Sequence, residues 1–168
     1  MKKVLVAGML CVAVALYSCG GHSSSNESSN EPVSNAETPS TTMPNASPAI
    51  DINAKSDSKG VGKFTDVKVG KLDAALAAKG KSLFENKCTA CHKPTDEKEI
   101  GPGLKGVTTI RTPEWILNMM TNPNEMTDKD PVAKALLAEF HTQMTFQNVS
   151  DEEARAILEF LRQNDGVQ

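Results

Sequence analysis

Cys88-Thr89-Ala90-Cys91-His92 decides how this 168-residue chain is read. Two thiols three positions apart, followed at once by a histidine, form the attachment signature of a c-type haem. The spacing follows from chemistry. Each thiol adds to one vinyl group of the porphyrin as a thioether, and the next residue carries its imidazole beneath the ring to the iron. Two other readings compete: a redox-active Cys-x-x-Cys dithiol and half of a zinc site. A zinc site asks for a second ligand pair, and with four Cys and three His in the whole chain none is present. The expectation is one covalent haem on Cys88 and Cys91, with His92 as an axial ligand.

Outward from the motif, the N-terminus predicts export. Lys2 and Lys3 precede an apolar run from Val4 to Leu16, short for a membrane span. It ends in Leu16-Tyr17-Ser18-Cys19, which resembles the lipobox of bacterial lipoproteins, so residues 1–18 read as a signal peptide and Cys19 as the lipidated first residue. Tyr17 is bulkier than the usual residue there. Cys11 falls in the removed segment. With Cys19 acylated and Cys88 and Cys91 on haem, no thiol remains for a disulfide, although an exported location permits one. The expected location is the bacterial cell envelope, on the periplasmic side of a membrane.

Residues 19–63 read as a disordered tether. Ser, Asn, Thr, Pro and Glu dominate from Gly20 to Asn53, and a Lys/Ser/Gly stretch follows. Such a segment buries too little apolar surface to offset its ordering entropy. About 45 residues of random coil reach about 35–40 Å. His22 lies here without the company a metal site needs.

Residues 64–168 read as one small all-α domain. Aromatic residues make up only 4% of the chain, and a covalent haem would supply the missing apolar mass. A formal charge of −3 offers no basic face for nucleic acid. Phe64 to Val69 alternates as a short extended lead-in. Asp73 is a candidate cap for a helix carrying Leu76, Ala77, Gly80, Leu83 and Phe84. Thr112-Pro113 and Asp130-Pro131 are two further starts. Asn122-Pro123 ends the helix of Trp115, Ile116 and Met119, placing Met126 in a loop. Ser150-Asp151-Glu152-Glu153 is a capping box for a final helix with Ala154, Ile157, Leu158 and Leu161 on one face.

This order, from a helix through Cys-x-x-Cys-His and a Gly-Pro turn to a Met and a capped last helix, resembles the class I monohaem c-type cytochromes from Leu72 to Gln163. The resemblance implies the small cytochrome c fold, with crossed N- and C-terminal helices around one covalent haem. Gly80 and Phe84 would meet Ile157, Phe160 and Leu161 at that crossing. Met144 matches the family's sixth ligand, in a stretch where Thr145 stands for the usual Pro. Met119, Met120, Met126 and His141 remain rivals, the first two sitting on a helix and reading also as core fillers. Ile100-Gly101-Pro102-Gly103-Leu104 resembles the family turn in which the Pro carbonyl holds the ligand histidine. Pro102 would take that role, and Leu104 would pack on the ring. Arg111 and Trp115 resemble propionate-binding residues. Lys87, Lys93 and Lys98 read either as a docking rim or as a solvated face.

The functional expectation is a one-electron carrier, not an enzyme. A quinol-oxidising complex is the expected donor, and a terminal oxidase or nitrous oxide reductase the expected acceptor. Two alternatives are a haem sensor of gas or peroxide, which needs a vacant sixth site, and a fixed cytochrome subunit of an oxidase or reductase complex.

Overall fold

The computed structural model describes residues 49–168; the expected signal peptide, Cys19 and most of the expected tether lie outside the described residues. Six helices follow in order: α1 (Ala74–Lys87), α2 (Val107–Ile110), α3 (Pro113–Thr121), α4 (Pro123–Lys129), α5 (Pro131–Phe140) and α6 (Asp151–Asn164). No strand occurs among the described residues, so the expected all-α class holds and the lead-in from Phe64 is irregular chain.

Local chemistry starts most of these helices. The Asp73 carboxylate accepts from the Leu76 N–H, Thr112 from Trp115 and Asp130 from Ala133, each satisfying an otherwise orphaned helix donor. Pro occupies the first position of α3, α4 and α5, where its missing N–H costs nothing. Ser150 and Glu153 close a reciprocal capping box on α6.

α1 and α6 cross in direct backbone contact. A Cβ added to Gly80 would lie 1.8 Å from the Ala156 carbonyl oxygen, so only glycine permits the approach. Phe84 and Phe160 pack beside it, ring centroids 5.2 Å apart. Ile157, Leu158 and Leu161 of α6 complete a core shared with Trp115, Ile116 and Leu117 of α3.

Two expectations are corrected. Met126 is not in a loop. Pro123 does not merely end α3; it opens α4, and Met126 is fully buried there. The tether also does not run loose to residue 63. Residues 51–63 form a strap across α2, α3 and α4. The Ser56 N–H donates to the Ile110 carbonyl at 2.9 Å. The Ser58 hydroxyl donates to Asp130 at 2.7 Å, and Thr112 donates back to the Ser58 carbonyl at 2.7 Å. Asn118 donates to the Lys59 and Phe64 carbonyls. The Val61 N–H donates to Met126 Sδ at 2.9 Å. The physical reason lies in the domain. Arg111, Asn118 and Asp130 are buried polar residues, which require partners, and the strap supplies them, largely from its main chain.

Candidate functional site

The turn after α1 gathers the motif. The Cys88 N–H caps onto Phe84, and the Cys91 and His92 N–H groups both donate to the Cys88 carbonyl. The chain then folds back on itself. Gly101 donates to the Cys91 carbonyl at 2.8 Å, Leu104 to Lys93 at 2.9 Å and Lys105 to Thr95 at 3.1 Å. This closure sets the Pro102 carbonyl 2.9 Å from His92 Nδ1. A carbonyl only accepts, so Nδ1 carries the proton and Nε2 keeps its lone pair free for a metal. Burial pushes the His92 pKa below the ordinary histidine value, against the opposing pull of the Pro102 bond. Gly101 lies close to the ring: a Cβ there would stand 2.7 Å from His92 Cε1, so the imidazole would have to shift.

Cys88 and Cys91 are both free and half-buried. Burial, the largest influence, pushes the Cys88 thiol up to about 11, so it is protonated at neutral pH.

Beside these residues lies a cavity of about 480 Å³, within the range of about 300–1,000 Å³ typical of small-molecule and cofactor sites. Cys88, Cys91, His92, Pro102 and Leu104 form part of its wall. Apolar side chains from four helices form much of the rest: Phe84, Ile116, Leu136, Leu137, Phe140, Ile157 and Leu161. Met144 lines the same cavity from the loop before α6 and packs half-buried on the core. Met119 and Met120 also line it, so they are cavity wall as well as core filling.

Two of the rivals to Met144 lie elsewhere. Met126 is turned into the core, its sulfur taken by the Val61 N–H. His141 is exposed and ends α5 in a left-handed conformation at φ 51°.

Arg111 and Trp115 both line the cavity, with the guanidinium 5.5 Å from the indole centroid. Arg111 donates to the carbonyls of Ala54, at 2.7 Å, and Ile52, so the strap holds its guanidinium at the cavity edge. The Trp115 indole is engaged within the protein. Its single N–H is already spent on buried Asp130 at 3.0 Å, and it contributes an apolar wall. The three lysines near the motif are each paired with an acid: Lys87 with Glu153, Lys93 with Glu99 and Lys98 with Glu139.

Sequence reasoning missed several lining residues beyond the α5 wall. Ile52 and Asn53 come from the strap, and Thr127 and Gln143 bring polar groups beside Met144. None carries a local signal, because each reaches the cavity through a contact distant in sequence.

The donor set fits a covalent haem: two free thiols, a histidine with Nε2 available, apolar walls and an arginine at the edge. Fold and site together define an all-helical protein that attaches its haem through two thioethers.

The comparisons agree. The cytochrome c family profile matches residues 77–165. The solved cytochrome c from Rhodothermus marinus is 50% identical, with a TM-score of 0.60 over 62% of this chain and 90% of that one. An engineered cytochrome c from Rhodothermus marinus is 48% identical at a TM-score of 0.60, over the same shares of both chains. An engineered form bound to a carbene intermediate is 48% identical at a TM-score of 0.58, again over 62% and 90%. No curated protein matches. The chain belongs to the cytochrome c family, as a class I monohaem protein with a covalently attached c-type haem and an electron-transfer role. Such domains are typically extracytoplasmic in bacteria, and no helix among the described residues is long and apolar enough to cross a membrane.

Proposed function

We propose that this cytochrome is a lipid-anchored one-electron carrier of the bacterial cell envelope, with His92 and Met144 as the axial ligands of its iron. The bound haem supplies a single-electron ferric/ferrous couple. His92 offers Nε2 because Pro102 occupies Nδ1. Met144 offers a soft thioether, which favours reduced iron and raises the potential. The apolar walls would exclude water, and the Arg111 N–H groups left over from its bonds to Ile52, Ala54 and Ile110 would serve a propionate. The observation that supports this reading is Met144 lining the same cavity as His92 from a loop, while Met126 and His141 do not line it and Met119 and Met120 are fixed within α3.

Cys19 would hold the protein to the membrane, and the stretch before residue 49 would let the domain swing between partners at high local concentration. A quinol-oxidising complex is the proposed donor, and a terminal oxidase or nitrous oxide reductase the proposed acceptor. Replacing Cys19 with Ser should release the protein into the soluble fraction.

The ligand reading is tested by spectra of the haem-loaded protein. Oxidised wild type should show the weak sulfur-to-iron charge-transfer band, and Met144→Ala should lose it. Reduced wild type should resist carbon monoxide, and the variant should bind it. A wild type that lacks the band and takes up carbon monoxide at once would instead support the sensor reading.

A further inference from the structure

We propose that Gln143 is a positioning residue for Met144, acting as a clamp between α4 and the ligand loop. The proposal rests on the reading that Met144 ligates the iron. The loop from Thr142 to Val149 makes no main-chain-to-main-chain hydrogen bond among the described residues. Two non-glycine residues in the left-handed region bracket it, His141 at φ 51° and Asn148 at φ 50°. Such a segment has little of its own to hold it, so side chains must.

Gln143 supplies the hold next to Met144. Its Nε2 donates to the Met144 carbonyl at 2.9 Å. A carbonyl only accepts, which fixes the orientation of the amide and leaves Oε1 facing Thr127. The Thr127 hydroxyl donates to that Oε1 at 2.9 Å. Thr127 is itself buried on α4, within 3.0 Å of the Pro123 and Asn124 carbonyls, which compete for the same proton. A continuous polar link thus runs from a buried helix position, through one amide, to the main chain of the ligand residue. Both side chains line the cofactor cavity. Cutting the link frees Met144 to leave the iron without removing the thioether.

The test is imidazole binding to ferric, haem-loaded protein, followed through loss of the sulfur-to-iron band. Imidazole competes for the sixth position only when Met144 departs, so its apparent affinity reports loop opening. Gln143→Ala should bind imidazole about five-fold more tightly than wild type, the scale expected of one lost hydrogen bond. Thr127→Val should show a similar gain, and the double variant no more than either alone. Thr127→Ser keeps the hydroxyl and should behave as wild type. If the wild type shows the band and Gln143→Ala binds imidazole as wild type does, the clamp is overturned while the ligand reading stands. If the wild type lacks the band, the ligand reading falls and the clamp falls with it.

Discussion

Between Cys91 and Lys105 the chain is tied to itself by main-chain hydrogen bonds, Gly101 to Cys91, Leu104 to Lys93 and Lys105 to Thr95, whereas the loop from Thr142 to Val149 is held by side chains alone. Gln143 secures its near end. At the far end the Lys87 ammonium donates to the Asn148 carbonyl at 3.1 Å and to Glu153 at 3.2 Å. Both loops border one cavity. The first holds its histidine as rigid architecture does, and substitution there should cost fold stability. The second is pinned at separate points, so substitution there should change occupancy of the iron more than stability.

The largest effect is expected where the two loops are joined, since α1 leads into the first and α6 follows the second. Gly80→Val would drive carbon into the Ala156 carbonyl and should cost about 3 kcal/mol, read as a drop in denaturation midpoint of haem-loaded protein. Gly101→Ala comes next. Its Cβ would press on the His92 ring, and about 2 kcal/mol of stability should be lost, together with weaker histidine ligation on acid titration. A variant as stable as wild type would break the idea that the first loop is rigid.

Lys87→Ala should cost about 1 kcal/mol or less, because its ion pair is partly exposed. It should nevertheless raise imidazole affinity, and a change in stability with no change in affinity would place the far anchor outside ligand control. The smallest effect concerns acid. The Ser150 N–H, and then Lys87, hold the Glu153 carboxyl below the ordinary glutamate range. A lowered pKa adds stability above the unfolded-state value, and that stability fades as pH falls through the folded value. Glu153→Gln should therefore flatten the acid limb of the stability profile slightly.

Much of this was legible in the sequence wherever the signal is local. The caps at Asp73, Thr112, Asp130 and Ser150 depend on residues three positions away, and each forms as read. The Gly80–Phe84 pair and the Pro102 turn were legible through family resemblance, and the geometry places both as expected. Met126 was misread because Asn122-Pro123 signals a stop and a start equally well. The partner of the Trp115 indole N–H was not legible, because its acceptor, Asp130, lies fifteen residues away and reads as no more than a helix cap. The strap left no trace in composition, since what it offers its partners is mostly main-chain carbonyls, which every sequence possesses.

That strap also imposes an order in time. Its hydrogen bonds join residues 54 to 72 positions apart, as in Thr112 to Ser58 and Ser58 to Asp130. Such closures lose more chain entropy than the contacts between adjoining helices, so they follow helix assembly rather than lead it. Synthesis runs the other way. Residues 51–63 are made before the arginine, asparagine and aspartate that receive them, and their carbonyls remain in water until α3 and α4 exist. The edge of the cavity carrying Ile52 and Asn53 therefore closes only once the residues that receive the strap exist, unlike the local turn that brings the two thiols together at the end of α1.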